Sequence, residues 1–387
     1  MSHFISVKFN KKMNNKTKAI CNHIFRLLFG GLFIFSGFVK ATDPMGTAFK
    51  IEEYMSVFGF DGLLSALPSI PLILSIFLCC TEFLIGVSVL LHIYNKTNRW
   101  VATVFMLFFT VTTLIDALTN NVSDCGCFGD AVKLTNWQTF FKNIILDIIL
   151  IGIFITDNNK PQEFKKTKNW LTICVFCVLI LCFCIRNIMY EPVIDFRPWK
   201  TGNKMAPKES EQAPAVTFAT YKNNQTGEEK EFSMDELMQL SQQDSNFQQH
   251  WTFTASRYVN PNEIKAEGFS LVAYGSDEDS ALEILSDTVK DLYMVAVVDI
   301  TKVNENGMKK VAAFVKDKAN KGSKVIIITA STSDVWYDFQ FKYKLFDYMI
   351  YSCDDKAILA MARSNPAVIH IKNTIVENKW GWRSIRN

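Results

Sequence analysis

Cys125 and Cys127 flank Gly126 in a short polar stretch, residues 121–131, that separates two long apolar runs. Two extended residues would span about 7 Å, beyond the usual disulfide Cα separation of about 4.4–6.8 Å, so a bridge needs a turn, which Gly126 permits. A small-ring bridge of this kind is strained. Strained disulfides carry the more oxidising potentials, and thiol–disulfide exchange is the chemistry this spacing suggests. The same pair also suits a structural staple of the loop. No metal is expected here, because no His lies nearby and two thiolates fall short of four ligands. Redox use requires a lowered thiol pKa. Lys133 and the helix start near Thr135 supply positive potential, while Asp124 and Asp130 oppose it.

The elements that must position these thiols are membrane helices. Of the 387 residues 49% are hydrophobic, and 32 are Phe. The apolar content is concentrated in runs near 20–40, 70–94, 100–119, 140–156 and 170–190, each close to the roughly 20 residues that cross a hydrocarbon core. Five spans are expected. The fourth is shortest and carries Asp147, which leaves four spans and a re-entrant helix as the alternative. Lys8, Lys11, Lys12, Lys16 and Lys18 precede the first span. Lys96 and Arg99 follow the second, and Lys160, Lys165, Lys166 and Lys168 follow the fourth. These basic segments are expected inside, which puts the 41–69 loop, the cysteine loop and everything after about 190 outside. The first run has no convincing small-residue cleavage site and reads as a span rather than a signal peptide. A net charge of +3, spread over loops and a separate domain, gives no footprint for nucleic acid.

Ten cysteines are present. Cys21, Cys79, Cys80, Cys174, Cys177, Cys182 and Cys184 fall within apolar runs and read most simply as small hydrophobes. Only Cys125, Cys127 and Cys353 are expected to face an oxidising compartment. A thiol pair at a membrane must pass electrons onward, and a bilayer quinone is the natural acceptor, although no quinone-binding signature is visible. Cys79, Cys80, Cys182 and Cys184 fall about 15 Å in from the outer face at 1.5 Å per residue, so a relay has suitable geometry. Intramembrane charges are expensive and seek partners. Glu82 is the deepest and Arg26 is its expected approach, whereas Lys40 and Asp116, both near the outer face, are expected to pair. Glu82 or Asp116 would take protons if the site is functional. His92 reads as interfacial.

Between the first two spans, residues 49–58 read as an amphipathic surface helix, and Pro68 and Pro71 open the second span. Residues 191–267 read as an extracytoplasmic linker with a hairpin, 215–222 and 228–232, followed by a capped helix from Ser233 to which Glu236 belongs. From 268 to 387, strands at 269–274, 293–299, 325–329, 348–352, 367–372 and 374–380 alternate with helices at 278–290, 306–321, 334–344 and 355–363. That pattern is an α/β domain with a parallel sheet and a terminal antiparallel pair.

Ser36-Gly-Phe-Val-Lys40, Asp43-Pro-Met-Gly46, Lys50, Tyr54, Glu82 and the Asp124-Cys-Gly-Cys-Phe-Gly-Asp130 loop resemble a DoxX/MauE-type membrane protein over residues 20–157. The resemblance implies a four-helix membrane domain preceded by a basic leader (1–19), joined here by a fifth span (170–190). It also implies a link to redox processes and to maturation of disulfide-containing extracytoplasmic enzymes, with Cys125 and Cys127 as the redox positions. Arg363-Ser-Asn-Pro366 and the two strands that follow resemble a thioredoxin fold, in which Pro366 would be the cis-proline beside the active site. Where that fold would present Cys-x-x-Cys, after the 325–329 strand, the chain has Ala330-Ser-Thr-Ser-Asp334. The domain is therefore expected to bind or position rather than exchange disulfides. The whole arrangement resembles one found in Bacteroidetes-type bacteria, which implies an inner-membrane location and a periplasmic C-terminal domain. The expected function is a membrane component of an extracytoplasmic thiol-redox or electron-transfer system that serves a protein client. The alternative is a non-enzymatic membrane scaffold whose outer domain recruits a partner.

Overall fold

The computed structural model describes residues 14–93, 95–120, 122, 126–157, 166–206, 216–243, 247–259, 264, 268–286 and 288–386. Cys125, Asp124, most of the basic leader and part of the linker lie outside these residues. The chain divides into two compact units at Arg197 and Pro198.

The first unit is a helical bundle. Its helices are α1 (Asn15–Thr42), α2 (Pro44–Val57), α3 (Asp61–Ala66), α4 (Ile70–Leu90), α5 (Asn95–Thr119), α6 (Asn136–Thr156) and α7 (Lys166–Met189). Five of them, α1, α4, α5, α6 and α7, are long and apolar enough to cross a membrane. The expected fourth segment therefore has full spanning length, 21 residues. Side chains such as Leu27, Phe77, Leu107, Phe108, Phe141, Ile148 and Val178 stand exposed on these helices, as a lipid-facing surface requires. Phe29, Phe33, Ile85, Met106, Leu146 and Ile153 fill the bundle interior. The interhelical surface helix begins earlier than the amphipathic pattern indicated. Asp43 caps it by accepting from Gly46 N at 3.0 Å, and Pro44 occupies its first turn, where a missing N–H costs nothing.

The second unit holds two sheets. β1 (Val216–Asn223) pairs with β2 (Glu229–Ser233) and also with β3 (Trp251–Val259), all antiparallel. The hairpin and the Ser233–Glu236 cap of α8 (Met234–Gln243) match the sequence reading. β3 was not expected from the sequence, although Trp251, Phe253 and Ala255 alternate with Thr252, Thr254 and Ser256 after a Gln-rich stretch.

The larger sheet has six strands: β4 (Val272–Ala273), β5 (Asp291–Val297), β6 (Lys324–Thr329), β7 (Met349–Ser352), β8 (Ala367–Lys372) and β9 (Ile375–Gly381). Their order is β4-β7-β6-β5-β8-β9. β5, β6 and β7 run parallel, and β4, β8 and β9 pair antiparallel. β5 is buried on both faces, so it reads as the continuous apolar run Leu-Tyr-Met-Val-Ala-Val rather than an alternation. Met294 and Ala296 enter one core; Val295 and Val297 enter the other, beneath helix Glu305–Asn320. Residues just after Arg197, expected as linker, belong to this unit. Trp199, Met205 and Ala206 are buried in its core, and Gly202 and Met205 donate to Val376 O and Thr374 O. The expected strand at 269–274 shortens to two residues and the helix at 278–290 to Ala281–Ile284, because Asp279 folds back to accept from Leu271 N and Ala281 N.

Candidate functional site

Close packing of α1 on α4 sets the site. A Cβ added to Gly37 would lie 2.6 Å from Phe83 N and 2.9 Å from Cys79 O, and one on Gly86 would lie 2.7 Å from Gly30 O. Only glycine allows this approach, the small-residue interface typical of membrane helices. Ser36 and Lys40, four residues apart on one face of α1, are thereby set against Glu82 of α4.

Lys40 Nζ donates to Glu82 Oε1 at 2.8 Å, to Glu82 Oε2 at 2.7 Å and to Ser36 Oγ at 2.9 Å. An ammonium has three donors, and these acceptors use all of them. Ser36 Oγ in turn lies 2.9 Å from Glu82 Oε2 and 2.8 Å from Cys127 O, and its single proton serves one of them at a time. The ion pair is almost entirely buried, with 4% and 7% of its side chains exposed. A hydroxyl on a buried charge pair thus grips the backbone of the cysteine loop.

The loop is built to reach that grip. Gly126 (φ +60°) and Gly129 (φ +50°) adopt the left-handed conformation, and Gly129 N donates to Gly126 O at 2.9 Å. The turn buries Cys127 and Phe128. The Phe128 ring meets Phe35 at 5.6 Å between centroids and receives Lys142 Nζ at 4.6 Å. On the stems, Asn136 Nδ2 lies 3.0 Å from Val122 O and 3.3 Å from Asn120 Oδ1. Thr135 and Gln138 form the capping box that starts α6, at the helix start expected near Thr135. Asp130 is exposed in the short turn Gly129–Ala131.

The Cys127 thiol lies within Coulombic reach of the Lys40 ammonium. Lys133, the cation expected from the sequence, lines a hollow of about 10 Å³ with Gly126 and Cys127. Behind Cys127, a cavity of about 30 Å³, room for water, is lined by Ser36, Glu82, Phe128, Lys142 and Asn143.

The expected charge pairing is corrected throughout. Lys40 pairs with Glu82, not Asp116, because the Gly37 contact draws α1 onto α4. Asp116 Oδ2 instead accepts from the Tyr54 hydroxyl at 2.5 Å, tying α2 to α5. Arg26 does not approach Glu82. It meets Asp157 at 3.5 Å near the opposite end of the bundle, where Arg99 reaches the same carboxylate at 3.1 Å. His92 lies at that end too, its ring 5.4 Å from His23. Among the described residues no group of His, Cys, Asp and Glu side chains has the arrangement of a metal site.

At the C-terminal end of this unit, after α7, Arg197 is buried between Glu191 at 3.0 Å and Asp195 at 2.8 Å. Burial alone would lower its pKa, but the two carboxylates more than reverse this and hold the guanidinium charged.

In the second unit, Asn365–Pro366 is a cis peptide directly before β8. The loop against it follows β5, since Asn365 Nδ2 donates to Asp299 O at 3.1 Å. The loop after β6, which the thioredoxin resemblance had singled out, joins it through Ser331, whose hydroxyl accepts from Ile300 N at 2.9 Å. Neither loop carries a cysteine. Cys353 is the only cysteine of this unit, and burial, its main perturbation, pushes the thiol up to about 12.

Residues 18–155 match the family described as methylamine utilisation protein MauE. No curated protein and no solved structure matches the chain. The matched residues hold the Ser36–Lys40–Glu82 network, the cysteine loop and nearly all of the first four spanning helices; this segment is similar to MauE, and the protein is a multi-pass membrane protein with a C-terminal α/β domain.

Proposed function

We propose that this protein is the membrane component of an extracytoplasmic thiol–disulfide redox system that aids disulfide maturation of client proteins. Cys125 and Cys127 are its exchanging pair. One observation carries the reading: the backbone of Cys127 is gripped by Ser36 on the Lys40–Glu82 pair, with the Lys40 ammonium in Coulombic reach of the thiol. The pair fixes where the loop sits, and a thiolate is the attacking species in exchange. In the exchange, a client thiolate attacks the loop disulfide, a mixed disulfide forms as one loop thiolate leaves, and a second client thiol resolves it, so the client leaves with a disulfide and the loop as a dithiol. The two electrons gained by the loop leave with two protons to a quinone in the bilayer, which restores the loop disulfide. The chain lies in a bacterial inner membrane with its N-terminus cytoplasmic and its C-terminal domain periplasmic. That domain is a thioredoxin-like module without Cys-x-x-Cys that docks the client.

Removing one loop thiol tests this. At least one of the Cys125→Ser and Cys127→Ser variants, acid-trapped in cells and run without reductant, should accumulate adducts with a client, and the double variant should not. Absence of adducts from both single variants at normal abundance favours a loop staple on a scaffold.

A further inference from the structure

The cysteines of the spanning helices are not distributed as isolated packing residues. Cys79 and Cys80 on α4 and Cys184 on α7 share one buried cluster with Ala41 and Ile180. Cys79 and Cys184 have no exposed surface, and Cys80 has 8%. The Cys184 thiol is within hydrogen-bonding reach of both Cys79 and Cys80. A single buried cysteine is a small hydrophobe and needs no further role. Three cysteines from two helices in one buried cluster is a different arrangement, because it sets Cys184 beside both cysteines of α4.

The register that brings them together is fixed. Asn187, three residues beyond Cys184, donates from Nδ2 to Ala41 O at 2.9 Å at the end of α1. The same part of the bundle holds Lys40, whose ammonium is in Coulombic reach of Cys79 as well as Cys127. α7 is also the least buried of the five spans, and Cys182 beside the cluster is exposed. The outer face of α7, opposite the cluster, is therefore the one turned to lipid, where a hydrophobic oxidant dissolves.

We propose that Cys184 and one of Cys79 and Cys80 form a reversible intramembrane disulfide couple, oxidised by a quinone dissolved in the bilayer. Two S–H bonds break and one S–S bond forms. Two electrons and two protons pass to the quinone, which leaves as the hydroquinone. The oxidised form ties α7 covalently to α4; the reduced form leaves them held by packing and by Asn187. This couple is a second site, and its chemistry does not depend on the loop pair.

The test uses the full-length protein in native membranes from quinone-deficient cells, reduced, freed of reductant and kept anaerobic. Samples with and without decylubiquinone are alkylated, digested without reductant and analysed by mass spectrometry. The expected result is a reductant-sensitive peptide joining residues 79–80 to Cys184 only when quinone is added, absent from Cys184→Ser and retained in Cys177→Ser. Full alkylation of Cys184 in the presence of quinone would overturn the proposal, and so would the linked peptide appearing equally without quinone, which marks a fixed staple. The wild-type measurement decides even if a variant fails to accumulate. Cys127 is read in the same digest, so an inert loop pair counts against the proposed function alone.

Discussion

Lys40 and Glu82 form a two-oxygen ion pair inside a membrane bundle, 2.8 and 2.7 Å from nitrogen to each carboxylate oxygen. Neither charge has another charged partner in the cluster described above, so each makes the other tolerable in lipid. Breaking a buried pair from one side leaves an uncompensated charge, a loss of about 3–5 kcal/mol, whereas replacing both partners by apolar residues is far milder. Lys40→Met and Glu82→Leu should each cause a large fall in thermal stability in detergent, and the double substitution should recover much of it. Additive losses in that cycle would show that the two residues act independently.

Ser36 couples this pair to the loop through Cys127 O. Ser36→Ala removes a hydrogen bond worth about 1 kcal/mol net and leaves the fold intact. The expected change is faster alkylation of Cys127 by a membrane-impermeant maleimide, timed by mass spectrometry, with abundance unchanged. An unaltered rate would show that the loop is held by Phe128 and Asn136 instead.

The Gly37 contact brings the pair together, and it admits no side chain. Gly37→Ala forces apart two backbones, an overpacking cost of about 1–3 kcal/mol. A lower melting temperature is expected for Gly37→Ala but not for Gly62→Ala, where an added Cβ meets nothing within 4 Å. Equal effects at both positions would remove the close crossing as the cause.

In the C-terminal domain, burial would raise the Asp291 carboxyl, but its hydrogen bonds with Ser323 and His370 outweigh that and hold it below the usual Asp range. A depressed folded pKa stabilises above the unfolded value, about 3.9, and the contribution is lost as pH falls through the lower folded value. Hydrogen exchange at β5 and β8 should therefore accelerate as pH drops below about 4, after correction for intrinsic rates. Asp291→Asn should flatten that response.

Ser331 supplies an acceptor for Ile300 N beside the Asn365–Pro366 turn, not a nucleophile. Ser331→Ala should cost about 1 kcal/mol of domain stability and leave the in-cell thiol state of Cys125 and Cys127 unchanged. A shift in that thiol state would give this loop a redox role.

Local chemistry was legible in the sequence; pairing between elements was not. The spans follow from apolar length, the α6 start from Thr135 and Gln138, and the alternating β5–β9 region from buried strand runs. Lys40 and Asp116 were matched by depth alone. Their true partners, Glu82 and Tyr54, depend on how closely α1 approaches α4, and that depends on what faces Gly37 and Gly86 across the interface. The meeting of Cys184 with Cys79 and Cys80 depends likewise on the rotation of α7, which Asn187 fixes through a backbone carbonyl. The buried Trp199 was hidden because it sits between Pro198 and Gly202 in polar composition and acquires its place only from long-range partners.

The central claim is that the loop pair changes oxidation state during work. Rapid acid trapping and differential alkylation of cells, followed by mass spectrometry of Cys125 and Cys127, measures this directly with and without quinone depletion. The account predicts a mixed population that becomes more reduced when quinone is removed. A pair locked in one state under both conditions would contradict it.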